Sequence, residues 1–140
     1  MKRVVLDTNV IVSGTFWTGP SFAILELADS GKIGVITSLP IIREYQDVIG
    51  RSEILDKTTQ SQRKTAGDTV RKLLTKAEVV EPRHEIYAVK DDPDDNKIIE
   101  TAVAGKAEYI ITQDKHLLFL KNYANIQIMT PENFLKSCNE

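Results

Sequence analysis

Residues 4–9 read Val4-Val5-Leu6-Asp7-Thr8-Asn9, a short apolar run that ends at once in an acid and two polar residues. A run that is fully apolar and partly β-branched is typical of a strand buried on both faces, as in a parallel sheet. In open α/β sheets, ligands bind beyond the carboxyl ends of the strands. We therefore expect Asp7 to lie at a ligand-binding edge of a sheet.

The rest of the chain alternates short apolar runs with helical patterns. Four further strands are predicted at residues 33–37, 78–80, 109–111 and 126–129. Helices are predicted from an N-cap at Ser21, from Ser38 to about Ile49, and at residues 59–76, 95–104, 115–120 and from Pro131 onward. We expect a loop in the segment that contains Gly14, Gly19 and Pro20. Strands separated by helices imply βαβ units and a parallel sheet, and residues 1–140 are expected to form one doubly wound domain.

Three further acids are expected at the same edge of the sheet. On the helix after the second strand, Glu44 lies at the border of the apolar arc, beside Val48, at about 100° per residue. Asp95 is in the first turn of a later helix and in line with its buried face, whereas Asn96 is rotated off that face. Asp114 directly follows the fourth predicted strand. Together with the acid after the first strand, these residues predict a carboxylate pocket.

Each acid also has an ordinary structural explanation. An aspartate before a helix is commonly its N-cap, which would account for Asp95 or Asp114. Asp7 could satisfy the amides of a turn, and Glu44 could be a surface residue paired with Lys or Arg. However, like charges gathered at one place repel unless a cation offsets them. Hard divalent cations take oxygen ligands and serve phosphodiester chemistry, so the pocket predicts a site for one or two Mg²⁺ or Mn²⁺ ions.

The chain resembles the PIN-domain ribonucleases, in particular the toxin component of bacterial or archaeal toxin–antitoxin pairs. The resemblance covers essentially the full length. It rests on four segments in order, which are VVLDTNV at residues 4–10, SLPIIRE at 38–44, DPDDNKI at 92–98 and IITQD at 110–114. It implies a three-layer α/β/α sandwich with a parallel sheet of about five strands, and metal-dependent cleavage of RNA.

The resemblance also implies roles for individual residues. Catalysis and metal binding fall on four acids, which are Asp7, Glu44, Asp95 and Asp114. Asn9 would orient Asp7, and Thr112 is a second polar helper. Asp92 and Asp94 are additional acids that leave the third ligand open, and the helix phase favours Asp95.

Basic and aromatic residues near these segments are candidates for contact with RNA. Arg43, Lys97 and Lys115 could bind phosphates, although ordinary surface charge is the commoner explanation for such residues. Phe16 and Trp17 are adjacent aromatics between glycines, which is not typical of a core. Trp17 could stack on an RNA base, anchor an interface or pack over the end of the sheet.

Composition sets limits on the partners of the chain. A net charge of −2 gives no general attraction for nucleic acid, so RNA binding would depend on local basic residues and on metal. The single Cys138 cannot form an internal disulfide, which fits a reducing cytosol. No apolar run approaches the roughly 18 residues that span a bilayer. Only three apolar residues separate Met1-Lys2-Arg3 from Asp7, so we do not expect these residues to form a signal peptide. We expect a cytoplasmic protein in which His84 and His116 are solvated or structural.

The function predicted from the sequence is a metal-dependent endoribonuclease that cleaves single-stranded or looped RNA as a toxin. Its expected partners are the RNA, a cognate antitoxin protein and a second copy of the chain. A housekeeping RNA-processing nuclease and an inactive binding module with the same fold are the alternatives. A haloacid dehalogenase-type enzyme would require a second Asp where the chain has Asn9. A receiver domain would require an Asp at the end of the third strand, which Val80, Glu81 and Pro82 do not provide.

Overall fold

A computed structural model describes residues 1–90 and 92–138 of the chain. The strands are β1 (Lys2–Leu6), β2 (Ile33–Thr37), β3 (Glu78–Val79), β4 (Tyr109–Ile111), β5 (Asn122–Tyr123) and β6 (Ile126–Met129). The helices are α1 (Thr8–Phe16), α2 (Pro20–Asp29), α3 (Leu39–Ile49), α4 (Ser52–Lys57), α5 (Gln60–Lys76), α6 (Asn96–Ala104), α7 (Lys115–Leu120) and α8 (Pro131–Cys138), and a short 3₁₀ turn at Pro93–Asp95 precedes α6.

The six strands form one sheet in the order β3-β2-β1-β4-β6-β5. The five strands predicted from the sequence all pair in parallel, so this prediction is confirmed. The sixth strand, β5, is a two-residue segment that pairs antiparallel with β6. The chain runs outward from β1 through β2 to β3 and then continues on the other side of β1 with β4. The strand order therefore reverses beside β1, which is where open α/β sheets form a ligand-binding crevice.

Apolar burial on both faces of the sheet accounts for the sandwich. Successive side chains of a strand point to opposite faces. In β1, Val4 and Leu6 therefore face one side and Val5 the other, yet all three are buried. Ile110 and Ile111 of β4 are likewise fully buried. Helices consequently cover both faces of the central strands, as the resemblance to an α/β/α sandwich implied.

The first helix, α1, occupies part of the segment that we expected to be a loop. Gly14 does not break this helix, because it lies where α1 packs closely on α2. A Cβ atom added at Gly14 would lie 2.8 Å from the carbonyl oxygen of Ser21. The packing of α1 on α2 therefore requires a glycine at this position. The prediction that Gly14 lies in a loop was wrong.

The start of α2 also differs from the prediction. Gly19 is the N-cap and Pro20 the first helical residue, so Ser21 lies inside the helix and not at its cap. Gly19 has a φ of 125°, a conformation that L side chains rarely adopt, whereas Pro20 has the φ that a helix start requires.

Within the described residues, no single helix is long and apolar enough to cross a membrane, and α1 with α2 reaches that length and composition only across a bend of 94°.

Candidate active site

Asp7 lies between β1 and α1, at the end of the central strand. Its backbone N–H donates to the carbonyl oxygen of Ile111 at 3.0 Å, which ties this end of β1 to β4. The residue is only 5% exposed. Its Oδ1 accepts a hydrogen bond from the N–H of Thr8 at 2.7 Å, and its Oδ2 accepts one from the Thr112 hydroxyl at 2.6 Å. The carboxylate is thus fixed by donors on two different strand ends.

Thr112 and Asn9, the two residues for which the resemblance implied a helper role, both contact Asp7. The Thr112 hydroxyl, which is fully buried, donates to Asp7 and also accepts the backbone N–H of Asp114 at 2.9 Å. The Asn9 Nδ2 donates to the Asp7 Oδ2 at 3.4 Å, and its Oδ1 accepts the N–H of Gln113 at 3.4 Å. Both side chains therefore connect Asp7 to the loop after β4.

The two candidate cap residues behave differently. Asp114 caps α7, because its Oδ1 accepts the backbone N–H of His116 at 2.7 Å. Asp95 precedes α6 but makes no capping hydrogen bond. The Oδ2 atom of Asp95 is buried and has no hydrogen-bond partner within residues 1–90 and 92–138. A role in helix capping therefore does not explain Asp95.

The electrostatics of Asp7 and Asp95 reflect burial among like charges. Burial raises the pKa of Asp7 to about 6, against the lowering effect of its hydrogen bonds from Thr112 and Thr8. Burial, followed by the nearby negative charge of Asp114, raises the pKa of Asp95 to about 8. Both carboxylates are therefore harder to ionise than an ordinary aspartate in the absence of a cation.

Asn96 was expected to point away from the buried face of α6, and that prediction was wrong. The residue is buried, and its Oδ1 accepts the backbone N–H of Val89 at 2.8 Å. Its Nδ2 donates to the carbonyl oxygen of Val89 at 3.4 Å. Asn96 thereby fixes the chain on both sides of Asp92.

Glu44 faces the same region but already has a partner. Its carboxylate forms an ion pair with the ammonium group of Lys97, and both side chains are partly buried. The negative charge of Glu44 contributes to the raised pKa of Asp7. The structure thus places Lys97, one of the candidate phosphate contacts, against an acid of the pocket.

The acids meet in one cavity of about 380 Å³. Its acidic lining residues are Asp7, Glu44, Asp92, Asp94, Asp95 and Asp114. Three of these acids, Asp92, Asp95 and Asp114, and the neighbouring His116 each offer one ligand atom, and these four atoms lie within 4.8 Å of one another. Asp7 is not one of these four residues, but its charge raises the pKa of Asp95. The structure therefore brings all four predicted acids together with Asp92 and Asp94, the additional acids of the sequence. It also places His116, which was expected to be solvated or structural, beside them.

Trp17 and Arg51 also line the cavity. Trp17 is 45% exposed, whereas its neighbour Phe16 belongs to the hydrophobic core, so the expectation that neither aromatic is buried was wrong for Phe16. Sequence reasoning did not consider Arg51. It lies between α3 and α4, as the N-cap residue of α4, so the helical periodicity of α3 gave no signal for it. The candidate phosphate contacts Arg43 and Lys115 are exposed and are outside the described lining of the cavity.

The acid-lined cavity lies at the carboxyl ends of parallel strands, beside the point where the strand order reverses. Open α/β domains bind their ligands at this position. Residues 3–116 match the family model described as PIN domain. The chain therefore belongs to the PIN domain family, and membership of this family implies a nuclease. A search of curated protein sequences gives no significant match.

Several solved structures have a similar fold at low sequence identity. VapBC2 from Rickettsia felis, bound to a DNA fragment from their promoter, is 15% identical with a TM-score of 0.59, over 91% of this chain and 98% of that one. PAE2754 from Pyrobaculum aerophilum is 13% identical with a TM-score of 0.60, over 97% and 88% of the two chains. FitAcB from Neisseria gonorrhoeae is 13% identical with a TM-score of 0.57, over 92% and 98%.

The residues of the cavity fit a divalent cation. The buried Oδ2 of Asp95 lacks a donor among the described residues, and a cation would supply the missing positive partner. The donors are mainly carboxylate oxygens, which are the ligands that Mg²⁺ and Mn²⁺ take in proteins. A bound cation would also favour the charged forms of Asp7 and Asp95, whose pKa values are raised in the protein alone.

Proposed function

We propose that this protein is an endoribonuclease that uses Mg²⁺ or Mn²⁺ to cleave single-stranded or looped RNA, and that it is the toxin of a toxin–antitoxin pair. The observation that carries the proposal is the buried, unpartnered Oδ2 of Asp95 in a cavity lined by further acids. Such an atom is costly to bury unless a ligand satisfies it.

The residues of the cavity would have different roles in metal binding and cleavage. Asp7, Asp95 and Asp114 would hold the ion, and the hydroxyl of Thr112 keeps two of them in register by contacting both. When bound, the ion supplies positive charge to the phosphate oxygens and makes water a better nucleophile. Glu44 would ligate the ion or orient water. Lys97, which pairs with Glu44, would provide positive charge for a phosphate of the substrate.

A single-stranded substrate is supported by the neighbours of the acids. Exposed Trp17 lines the same cavity and offers a face on which an unpaired base can stack. Arg51 also lines the cavity and can contact a phosphate. A net charge of −2 gives the whole chain little attraction for a rigid duplex. The choice of RNA over DNA rests on the resemblance to PIN-domain ribonucleases.

The role as a toxin rests on the same resemblance and on the likeness to VapBC2 and FitAcB. A nuclease acting in the cytoplasm must be restrained, and an acid-lined cavity can be blocked by an Arg or Lys of an inhibitor. We therefore propose a cognate antitoxin as partner. We also propose a homodimer, because two-fold pairing is the commonest oligomer of soluble proteins.

A cleavage assay tests the nuclease function. Fluorescently labelled RNA hairpins are incubated with the protein in Mg²⁺, in Mn²⁺ or in a chelator. We expect cleavage in the loop with metal and none with the chelator. Asp95→Asn should abolish cleavage, whereas Asp47→Asn should not, because Asp47 is an exposed acid of α3 outside the described lining of the cavity. Preferential cleavage of duplex DNA would contradict the proposed substrate.

Expression in a bacterial host tests the toxin role separately. The wild-type chain should slow growth, and Asp7→Asn should not. Growth arrest that persists with Asp7→Asn would show that the toxicity is not catalytic. A chain that cleaves RNA in vitro without affecting growth would instead support a housekeeping RNA-processing nuclease.

A further inference from the structure

The ring of His116 lies beside two acids that line the cavity. Its Nδ1 atom is 3.6 Å from the Asp114 Oδ1 and 3.8 Å from the Asp92 Oδ2. Both distances are too long for a hydrogen bond. The side chain is about half exposed, so an ion arriving from solvent can reach it.

The local backbone explains why the imidazole lies there. Asp114 caps α7 by accepting the backbone N–H of His116, which places the histidine in the first turn of the helix and directly beside the capping carboxylate. The backbone of the second neighbour, Asp92, is also fixed, because its carbonyl oxygen accepts the N–H of Asp95 at 3.0 Å. The ring and the two carboxylates thus belong to segments fixed by backbone hydrogen bonds.

The spacing of the four groups suits a single ion. One ligand atom each from Asp92, Asp95, Asp114 and His116 lies within 4.8 Å of the other three. Metal–ligand distances of about 2.0–2.6 Å place ligand atoms on opposite sides of an ion about 4–5 Å apart. One member of the group, Asp95, carries the buried oxygen that has no donor among the described residues.

We infer that the Nδ1 atom of His116 is a direct ligand of the divalent ion, and that the site therefore prefers a transition-metal ion such as Mn²⁺ over Mg²⁺. This inference rests on the proposed function, since it concerns the same ion. Mg²⁺ loses its water reluctantly and usually takes only one or two carboxylates. An imidazole added to the carboxylates that hold the ion makes a mixed donor set, and nitrogen donors suit transition-metal ions better than Mg²⁺.

The test uses the magnetic signature of bound Mn²⁺. Pulsed electron paramagnetic resonance of the Mn²⁺-loaded wild-type protein should show coupling to the ¹⁴N nuclei of an imidazole. The coupling should disappear in His116→Gln. It should remain in His84→Gln, a matched control, since the chain has only two histidines and His84 is exposed in a loop outside the described lining of the cavity.

A binding measurement gives a second readout that does not depend on cleavage. Titration calorimetry of the wild type should show a higher affinity for Mn²⁺ than for Mg²⁺. His116→Gln should lower the ratio of the two affinities by about tenfold or more, by analogy with the loss of a group that supports a metal site. His84→Gln should leave the ratio unchanged. His116→Asn repeats the measurement with a shorter amide if His116→Gln folds poorly.

The outcomes separate this inference from the proposed function. Wild-type protein that binds Mn²⁺ without ¹⁴N coupling, or whose coupling survives in His116→Gln, overturns the role of His116 and leaves the metal site intact. Wild-type protein that binds neither ion overturns the metal site itself, and the inference with it.

Discussion

Charged side chains lie at both ends of the central strand β1, but their charges are arranged differently at the two ends. At the amino-terminal end, the guanidinium of Arg3 pairs with Glu78 and donates to the carbonyl oxygen of Gly105 at 2.6 Å. At the carboxyl end, Asp7 is buried and the neighbouring charges of Glu44 and Asp114 have the same sign as its own. Opposite charges meet at one end of β1, and like charges gather at the other.

Under the proposed function, the amino-terminal end of β1 contributes to stability and the carboxyl end binds the ion. The Arg3–Glu78 pair has side chains 41% and 54% exposed, and pairs of this kind stabilise a protein by about 1 kcal/mol or less. Gathering buried acids has the reverse effect, because burial and repulsion oppose ionisation. An ion that binds only the folded state would offset this penalty. Substitutions at the two ends should therefore have opposite consequences.

The largest expected effect is on cleavage. Asp7→Asn keeps the shape of the side chain but removes the ligand charge, so the rate of RNA cleavage should fall by about 1,000-fold or more, the equivalent of several kcal/mol of charge stabilisation. Glu78→Gln makes the same chemical change at the other end and should stay within about twofold of wild type. Initial rates with Mn²⁺ measure both, with circular dichroism as the check on folding. Near-wild-type turnover in Asp7→Asn would show that Asp7 is not a metal ligand.

A smaller effect is expected on the stability of the metal-free protein. The pKa of Asp7 is raised from 3.8 to about 6 in the folded state, so its contribution to stability is complete below about pH 4 and is lost as the pH rises through about 6. Two pKa units correspond to about 3 kcal/mol at most. In a chelator, Asp7→Asn should therefore become more stable relative to wild type between about pH 4 and pH 8.

Urea unfolding across this pH range measures the difference. The raised pKa of Asp95, about 8, should extend the loss of wild-type stability to the upper end of the range. Glu78→Gln should follow the wild-type pH dependence. A difference between Asp7→Asn and wild type that does not grow with pH would contradict the raised pKa of Asp7.

Removing the shared hydroxyl of Thr112 should have an intermediate effect. Thr112→Val preserves the volume but leaves the Asp7 Oδ2 without its 2.6 Å donor and the N–H of Asp114 without its acceptor. We expect a loss of about 1–3 kcal/mol in unfolding free energy and a decrease of about 10–100-fold in metal affinity. Thr112→Ser keeps the hydroxyl and should recover most of the metal affinity. Equal affinities in the Val and Ser variants would show that the hydroxyl does not support the site.

The smallest effect is expected at the paired end. Glu78→Gln removes an exposed ion pair and should lower the unfolding free energy by less than about 1 kcal/mol. The loss should shrink at high salt, because exposed charges are screened. Urea unfolding at low and high ionic strength tests this, and the rise in melting temperature with Mn²⁺ should equal that of wild type. A larger, salt-independent loss would mean that Arg3 is more than a surface partner.

The sequence predicted the sheet well, because β-branched apolar runs and helical spacing are local signals. The position of Asp7 and Asp114 after strands, and the helical phase of Glu44 and Asp95, were enough to expect the four acids at one edge. Helix α1 was missed because Gly14 was treated as a loop residue, whereas its small size is required by the nearby backbone of Ser21. Such a contact between helices has no signature in the local sequence.

The finer details of the site depend on contacts between distant segments. Asn96 was assigned by ideal helical phase, but it is the first residue of α6 after a 3₁₀ turn, and its amide binds the backbone of Val89. The pairing of Glu44 with Lys97 and the position of His116 beside Asp92 likewise depend on how separate elements pack. Spacing along the chain indicates which acids lie close together, but not which other residues they contact.

The two hydrogen bonds from Asn96 to Val89 have a consequence for the kinetics of ion exchange. They join Val89 to Asn96, on either side of Asp92, through contacts within the protein, so these two flanking residues do not depend on the ion for their positions. A receptor fixed in advance loses little conformational entropy when it is filled. Entry and departure of the ion should then be governed by the release and return of its water molecules, and the protein could change one divalent ion for another without opening its fold.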